Sequence, residues 1–264
     1  MTQTRLPAVA GTFYPGNPVA LSTMIDAMLA EGTVPDAISP PVALVVPHAG
    51  YVYSGPTAAI AYVRLRPWAG QIDRVVVMGP SHRVPLRGLG LSSADFFTTP
   101  LGDIPIDRAA CDALLTHPGV HINDEAHQYE HSVEVQLPFL QRVLGDGWSL
   151  VPIVAGSGTA SSIADAVGRL WAAPHTLFII STDLSHYHDL NTARQVDRAT
   201  AVSIISAAWE SLGSDEACGV VPVRGALELA RRHGERVSLL DLRTSADTAG
   251  PPERVVGYGS FLVR

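Results

Sequence analysis

The chain contains no lysine: all 18 of its basic residues are arginines, and these are scattered singly or in pairs along 264 residues. Its 25 acidic residues leave a formal net charge of −7. Domains that bind nucleic acid gather their basic residues into a patch or stripe. An acidic chain without such a cluster is a poor candidate for that function, so we expect no nucleic-acid partner.

Cysteine and long apolar segments are also scarce. The chain has only two cysteines, Cys111 and Cys218, which is too few for a disulfide framework and predicts a reducing cytoplasm. No apolar stretch approaches the roughly 18 residues that a membrane helix needs. The first residues lack the apolar region of a signal peptide. We therefore expect a cytoplasmic protein without a membrane partner.

Hydrophobic residues make up 47% of the chain, and apolar runs alternate with amphipathic segments. The runs are rich in Val, Ile and Leu with little polar alternation, as in strands that are covered on both faces. We predict strands at Ala43–Val46, Arg74–Met78, Leu150–Val154, Thr176–Ser181, Val237–Leu240 and Val255–Leu262. We predict helices at Leu21–Glu31, Thr57–Leu65, Ile106–Thr116, Val133–Leu144, Ser161–Trp171, Thr192–Ser211 and Val223–His233. This alternation predicts an α/β fold: one domain over residues 1–264, with a central, mainly parallel sheet and helices on both faces. Proline-rich stretches at 34–41 and 248–255 are interpreted as surface loops.

Three of the predicted strands lead into histidine or aspartate. His48 follows the first strand in "VVPHAG", His82 follows the second in "GPSH", and Asp183 and His186 follow a third in "STDLSH". A single loop histidine most often only bonds to nearby backbone. Ligands of open α/β sheets bind at the carboxyl ends of strands, however. The threefold repetition therefore predicts one shared site at that edge of the sheet.

Two imidazoles suggest a metal site, because neutral nitrogen ligands suit Fe, Zn and Cu. A non-haem Fe(II) site needs a carboxylate as well, and the candidates are Asp183, Glu130, Glu134 and Asp247. The HExxH and paired CxxC spacings of common zinc sites are absent. The glycine-rich patterns of phosphate-binding loops are absent too, which argues against a nucleotide.

The segment "QYEHSVEVQLPFLQ" offers further polar residues before a predicted helix. Ser132 is a candidate N-cap, and Glu134 then falls in the first turn, where a carboxylate complements the helix dipole. That capping role explains Glu134 as well as a catalytic role does. Glu130 and His131 are less easily explained by capping. Cys218, in "DEACGVVPVRG", is interpreted as packing at the start of a helix.

Several of these segments, taken together, resemble the Memo family, whose bacterial and archaeal members are called AmmeMemoRadiSam system protein B. The matching pieces are "AGTFYPGNP", "VVPHAGYVYSG", "GPSH", "DEAHQYEHSVEVQLPFLQ", "STDLSHY", "CGVVPV" and "RVVGYGSFLV". They follow one another in family order from Ala10 to Val263, so the resemblance covers nearly the whole chain.

The resemblance implies a fold like that of class III extradiol ring-cleaving dioxygenases, which hold Fe(II) with two histidines and a carboxylate. It places the family's two metal histidines on His48 and His82, and lines the same cleft with Asp183 and His186. Eukaryotic relatives use a cysteine near the C-terminus as the third ligand. The corresponding stretch here, "RTSADTAG", has no cysteine, and Asp247 takes that place.

The function implied is a metal-dependent, dioxygenase-like oxidoreductase that acts on a small molecule or a modified residue. His186 would be its acid/base group beside Asp183, supported by Glu130 or His131. The cofactor would be a divalent metal, with Fe(II) first and Cu or Zn as alternatives. The resemblance also allows a metal-containing adaptor that binds peptides without catalysis and, as a third reading, a zinc-dependent hydrolase. Radical-SAM and AMMECR-type proteins are the expected partners.

Overall fold

The computed structural model describes residues 2–34 and 39–264. Its strands are β1 (Thr4–Arg5), β2 (Ala43–Val46), β3 (Arg74–Pro80), β4 (Leu89–Leu91), β5 (Phe96–Thr99), β6 (Gly102–Pro105), β7 (Val120–Ile122), β8 (Ser149–Ala155), β9 (Thr176–Ser181), β10 (His186–His188), β11 (Val237–Thr244) and β12 (Val255–Val263). Its α-helices are α1 (Pro18–Glu31), α2 (Tyr51–Tyr62), α3 (Arg108–Leu114), α4 (Asp124–Gln128), α5 (Leu137–Leu144), α6 (Ala160–Trp171), α7 (Leu190–Ile205) and α8 (Val220–His233). Short 3₁₀ segments lie at Val63–Gln71, Glu134–Gln136, Trp209–Ser211 and Ser245–Asp247.

The larger sheet has the strand order β10-β12-β2-β9-β3-β8-β4-β7, with β11 also pairing with β12, and β1, β5 and β6 form a small separate sheet. The central strands β2, β9, β3 and β8 run parallel, whereas β12 and β4 on either side are antiparallel to their central neighbours. Val46 lies opposite Ser181, and Ile180 lies opposite Met78. The carboxyl ends of β2, β9 and β3 therefore lie side by side.

The helices pack as layers against this sheet. Helices α1, α2 and α5 contact one another, while α6 packs on α8, which also contacts β3 and β9. Helix α1 starts where Asn17 accepts hydrogen bonds from the first-turn amides and Pro18 occupies the first helical position, which needs no donor. Every residue of β2 is buried, as a strand covered on both faces requires. The predicted α/β domain with a central sheet between helices is confirmed.

All six predicted strands are present in the structure. Strands β2 and β9 have the predicted bounds, and the other four are longer than predicted, by one residue for β12, by two for β3 and β8, and by four for β11. Helix α2 starts at Tyr51, before Pro56 rather than after it. Ser132 is not the predicted N-cap: its hydroxyl donates instead to the carbonyl of Pro80 on β3. Half of the predicted loop at 34–41, residues 35–38, lies outside the described residues.

The short strands β1, β4, β5, β6, β7 and β10 were not predicted. They contain two to four residues each, and glycine or polar residues in every one of them leave no uninterrupted apolar run to recognise. Within residues 2–34 and 39–264, no helix combines the length and the hydropathy needed to cross a membrane.

Candidate metal centre

Three neighbouring strands of the central sheet each place a polar side chain just beyond their carboxyl ends. His48, Asp183 and His82 come two residues after the ends of β2, β9 and β3, respectively. The ring centroids of His48 and His82 are 5.1 Å apart, with the rings edge to face. The two predicted metal histidines therefore meet at the edge of the sheet where ligands of α/β proteins bind.

The proton of His48 is assigned by its neighbours. Ser181 donates its only hydroxyl proton to the carbonyl of Ser132 over 2.6 Å, so its oxygen accepts from His48 Nδ1 at 2.8 Å. The same oxygen accepts from Gln136 Nε2 at 2.9 Å, and Tyr62 orients that amide through its hydroxyl at 2.8 Å. Nδ1 thus carries the proton, and the lone pair of Nε2 is available to a metal ion.

Glu130 orients His82 in a similar way. Its Oε1 atom lies 2.8 Å from His82 Nδ1, and its Oε2 atom accepts from the backbone N–H of His82 at 2.6 Å. A carboxylate that accepts from one ring nitrogen leaves the other nitrogen free to coordinate. Burial raises the pKa of the Glu130 carboxyl, but the hydrogen bonds and charge of His82, with the amide of Ser132, outweigh burial and hold it at about 2.

Cys218 is the third potential ligand, and the sequence interpretation missed it. Its Sγ atom lies 3.2 Å from His48 Nε2, and ligand atoms of His48, His82 and Cys218 all lie within 4.8 Å of one another. A tetrahedral ion with bonds of about 2.0–2.3 Å separates its ligand atoms by about 3.3–3.7 Å, so the donors fit one ion after small side-chain movements. Burial, followed by the charge of Asp183, raises the pKa of the free thiol to about 12.

Cys218 reaches the site from the turn that precedes helix α8 rather than from the end of a strand. It directly precedes Gly219, the N-cap of α8, and its sulfur accepts a hydrogen bond from the backbone N–H of Asp183 at 3.2 Å. The interpretation that it packs at a helix start is therefore compatible with its position but incomplete. The sequence did contain a signal for Cys218 as a ligand, because eukaryotic relatives use a cysteine ligand and "CGVVPV" is among the segments that resemble the family.

Asp247, predicted as the third ligand, does not join these histidines. Its Oδ2 atom accepts hydrogen bonds from the backbone N–H and the hydroxyl of Thr244, both at 2.8 Å, and its Oδ1 atom accepts from Arg194 at 2.8 Å. It belongs to neither of the two potential ligand groups in the described part of the chain. Asp247 closes a turn on the protein surface, and Cys218 replaces it as the candidate third ligand.

His131 is the third imidazole of the site. Its ring stacks on His82 with centroids 4.6 Å apart and contacts Phe13 at 4.8 Å. Burial lowers the pKa of His131 to about 4, only partly offset by the charge of Glu130, so the ring is neutral near neutral pH. His82, Glu130 and His131 form a second potential ligand group. The Glu130 carboxylate in that group is already engaged by the ring and amide of His82 and by the amides of His131 and Ser132.

Asp183 and His186 lie at the same edge of the sheet as His48 and His82. Asp183 Oδ1 accepts the backbone N–H of His48 at 2.7 Å, and burial raises the pKa of its carboxyl. His186 Nδ1 lies 2.8 Å from the carbonyl of Leu184, which can only accept, so Nδ1 carries the proton and Nε2 is free. Burial, with the charges of His131, His82 and His186, keeps the pKa of His48 well below its usual value.

Glu134, another candidate ligand, serves a different part of the molecule. It is fully buried, and its carboxylate accepts from the guanidinium of Arg5, the amides of Ala8 and Val9, and the hydroxyl of Tyr14. These donors satisfy the carboxylate completely. Glu134 attaches the N-terminal segment to the domain and is not available to a metal ion.

A small cavity adjoins the sulfur. It has a volume of about 240 Å³ and is lined by Cys218, the ends of β3 and β8, and apolar side chains that include Val84, Leu86 and Val221. The cavity leaves Cys218 accessible to a small molecule, and neither His48 nor His82 lines it.

Comparison with known proteins identifies the family. The family model described as "Memo-like protein" matches residues 5–262. A MEMO1 family protein from Aquifex aeolicus is 35% identical over 269 residues, covering 96% of this chain and 97% of its own length. A MEMO1 family protein from Ignicoccus hospitalis is 37% identical over 280 residues, covering 97% of each chain.

The fold has a relative among solved structures. The crystal structure of an uncharacterized protein, JW3007 from Escherichia coli K12, aligns over 82% of this chain and 98% of its own with a TM-score of 0.53. At 12% identity this likeness concerns the fold alone. With the family model spanning nearly all of its length, the chain belongs to the Memo family.

Proposed function

We propose that this Memo protein binds one divalent transition-metal ion through His48 Nε2, His82 Nε2 and Cys218 Sγ and performs redox chemistry there on a small molecule or a modified residue. The observation that carries the proposal is the direction of the two imidazoles. Both have their Nδ1 protons committed to neighbouring oxygens, so each presents a lone pair beside the Cys218 sulfur.

The donor set narrows the choice of metal. Two imidazole nitrogens and one thiolate suit iron, copper and zinc, and disfavour magnesium and calcium, which prefer oxygen ligands. Fe(II) is our first candidate because the Memo family resembles extradiol dioxygenases in fold, with Cys218 standing here in place of their carboxylate ligand. Bound iron would supply Lewis acidity and one-electron redox chemistry. Zinc at the same ligands would favour hydrolysis instead.

The residues around the ligands are suited to handling a proton. His186 is held by its Nδ1 hydrogen bond to Leu184, so its Nε2 atom can accept a proton and return it. Asp183 lies nearby with a raised carboxyl pKa and orients the backbone of His48. Glu130 and Ser181 keep the two ligand rings in place, which limits reorganisation when the site is loaded.

Metal binding tests the ligand assignment. Protein purified without oxygen should contain about one equivalent of metal, and His48→Ala and Cys218→Ser should each lose stoichiometric metal while keeping the wild-type circular dichroism. After loading with Co(II), wild-type protein should show a sulfur-to-cobalt absorption band that Cys218→Ser lacks. Full metal content in both variants would contradict the site.

Oxygen consumption tests the chemistry. The iron-loaded protein should take up oxygen catalytically with a member of a phenol and catechol panel, and His186→Gln should lower that turnover roughly a hundredfold with metal retained. Uptake limited to oxidation of the protein's own iron across the panel would reject the oxidoreductase proposal and leave metal binding intact.

A second candidate is a metal-containing binding protein without catalysis. The cavity beside Cys218, at about 240 Å³, is smaller than the roughly 300–1,000 Å³ of typical small-molecule sites, which favours recognition of a side chain or a peptide end. Association with radical-SAM and AMMECR-type proteins stays a prediction of the family resemblance. Co-purification of the chain with such proteins from its own cells would test it.

A further inference from the structure

One peptide unit beside the candidate metal centre joins a buried carboxylate to a histidine. The carbonyl of the peptide between Leu184 and Ser185 accepts from His186 Nδ1 over 2.8 Å. The N–H of the same peptide donates to Asp197 Oδ1, on helix α7, over 3.0 Å. A peptide unit is planar and rigid, so a hydrogen bond at its N–H fixes the direction of its carbonyl. The Asp197 carboxylate therefore orients the carbonyl that in turn orients the His186 ring.

Strand β12 holds the same segment at the neighbouring backbone groups. The N–H of Leu184 donates to the carbonyl of Gly257 over 2.8 Å, and the N–H of Gly257 donates to the carbonyl of Ser185 over 2.8 Å. These two bonds fix the groups before and after the Leu184–Ser185 peptide, whose own N–H is bound by Asp197. Asp197 is thus the side chain that completes the attachment of this segment.

Asp197 and Gly257 fit together as a pair. A Cβ atom on Gly257 would overlap all three atoms of the Asp197 carboxyl group, so only glycine at this position leaves the carboxylate its place. Asp197 is 1% exposed, and burial raises the pKa of its carboxyl, which shows that the position is costly for a charged group. A glycine and a buried carboxyl group together make the single contact with Ser185 possible.

The backbone immediately after His186 is strained. Tyr187 has a φ of +64°, in the left-handed region that favours glycine, and the register of β10 against β12 shifts between His186 and His188. The Tyr187 ring is exposed, and the guanidinium of Arg254 lies 4.3 Å from its centroid. Bulges redirect side chains, and strained residues persist only where surrounding contacts hold them. The orientation of His186 therefore depends on the contacts that hold its segment.

We infer that Asp197 is a positioning residue for His186: through the Leu184–Ser185 peptide it holds the imidazole with Nδ1 protonated and Nε2 free to exchange a proton. Among the residues that the structure describes, Asp197 belongs to neither potential ligand group, so it acts on the site through this peptide. The catalytic meaning of the inference rests on the proposed function, whereas the tautomer of His186 is measurable without turnover.

NMR spectra of the full chain labelled with ¹⁵N-histidine, with Zn(II) added, test the inference. The signals of His186 are assigned as those that disappear in His186→Gln. Wild-type protein should show predominantly the Nδ1–H tautomer of His186, and Asp197→Ala should show a mixture of the two tautomers because the orienting carbonyl is released. Asp197→Asn should keep the wild-type tautomer, since its side-chain oxygen still accepts from Ser185.

Gly257→Ala perturbs the same contact from the other partner. The added methyl group displaces the Asp197 carboxylate, so a mixture of His186 tautomers is expected here too. The double variant should match Asp197→Ala alone, because the methyl group then has no carboxylate to displace. Thr200→Val is the matched control: Thr200 is equally buried on the same helix, but its hydroxyl donates to the carbonyl of Val196. This variant should keep the wild-type tautomer.

Turnover of the iron-loaded protein is the second readout. We expect kcat to fall about tenfold in Asp197→Ala and less than about threefold in Asp197→Asn, with KM and metal content unchanged, because only the orientation of the proton-transfer group is altered. If no panel substrate is turned over, the proposed function is rejected and the tautomer result alone decides this inference. The inference is overturned if wild-type His186 lacks a predominant Nδ1–H tautomer. It is also overturned if folded Asp197→Ala or Gly257→Ala keeps the wild-type tautomer.

Discussion

Glu130 and Glu134 belong to the same short segment, "EHSVE", and both carboxylates are buried, yet they hold different parts of the molecule. Glu130 accepts from the ring and backbone of His82 and so orients a candidate metal ligand. Glu134 accepts from Arg5, Tyr14 and two backbone amides and so attaches the N-terminal segment. The donors that surround each carboxylate, rather than its residue type or its motif, decide what it does.

Glu134→Ala should have the largest effect. It leaves the buried guanidinium of Arg5 and the hydroxyl of Tyr14 without their acceptor, so the free energy of unfolding should fall by about 3–5 kcal/mol in urea titrations. The control is Glu125→Ala, which removes an exposed glutamate from helix α4. It should change the free energy of unfolding by no more than about 0.5 kcal/mol. A loss below about 1 kcal/mol for Glu134→Ala would contradict the anchoring role.

Both regions should lose stability in acid, because each contains a buried histidine whose pKa is lowered to about 4, His127 beside the N-terminal segment and His131 beside Glu130. His127, whose carbonyl accepts from Arg5, has its pKa lowered to about 4, because burial outweighs the hydrogen bond of its ring to Gly90. Between pH about 6.5 and 4 the unfolded chain therefore binds a proton that the folded chain does not. The free energy of unfolding should fall with pH by about 1.4 kcal/mol per unit from this residue, or about 3 kcal/mol in all.

His127→Gln keeps an N–H donor for Gly90 but cannot take up a proton, so it should remove the part of the pH dependence of the free energy of unfolding that His127 contributes. The measurement is a set of urea titrations of metal-free protein in steps of about one pH unit from about pH 7 to about pH 4. Glu130 acts in the same sense but at lower pH, since its folded pKa is about 2. Its contribution to the free energy of unfolding is present above about pH 4.5 and is lost as pH falls through about 2. An unchanged pH dependence in His127→Gln would contradict this expectation, because it would mean that the ring takes up its proton over the same pH range in the folded and the unfolded chain.

Glu130→Gln should separate the two glutamates by metal affinity. The substitution weakens the hydrogen bond that orients His82, so metal affinity should fall by about 10–100-fold in chelator competition. Glu125→Gln is the matched control and should leave affinity unchanged. Equal affinity in Glu130→Gln and wild type would mean that His82 does not need its carboxylate partner or is not a ligand.

Asp247→Asn should have the smallest effect. The residue lies in an exposed ion pair with Arg194 outside both potential ligand groups, so metal affinity should change by less than about twofold. The free energy of unfolding should fall by no more than about 1 kcal/mol, as for other surface pairs. Loss of stoichiometric metal in this variant would restore Asp247 as a ligand and reject Cys218.

The sequence was most informative where physical constraints are local. Uninterrupted apolar runs predicted β2 and β9 with their bounds, because a strand covered on both faces must be apolar throughout. Short strands that contain glycine or polar residues, such as β4 and β10, offer no apolar run to detect. Their positions follow from pairing with β8 and β12, which local sequence does not encode.

The sequence alone determined the fold class, the family and the placement of His48, His82 and Asp183 at strand ends, because strand periodicity and chain order are properties of local sequence. Only the tertiary structure decided the third potential ligand. Cys218 is 170 positions from His48 and meets it because helix α8 packs over β3 and β9. Asp247 follows a strand as the histidines do, but its carboxylate is taken up by Thr244 and Arg194. A contact between distant segments depends on how the helices pack against the sheet, and no local pattern specifies that packing.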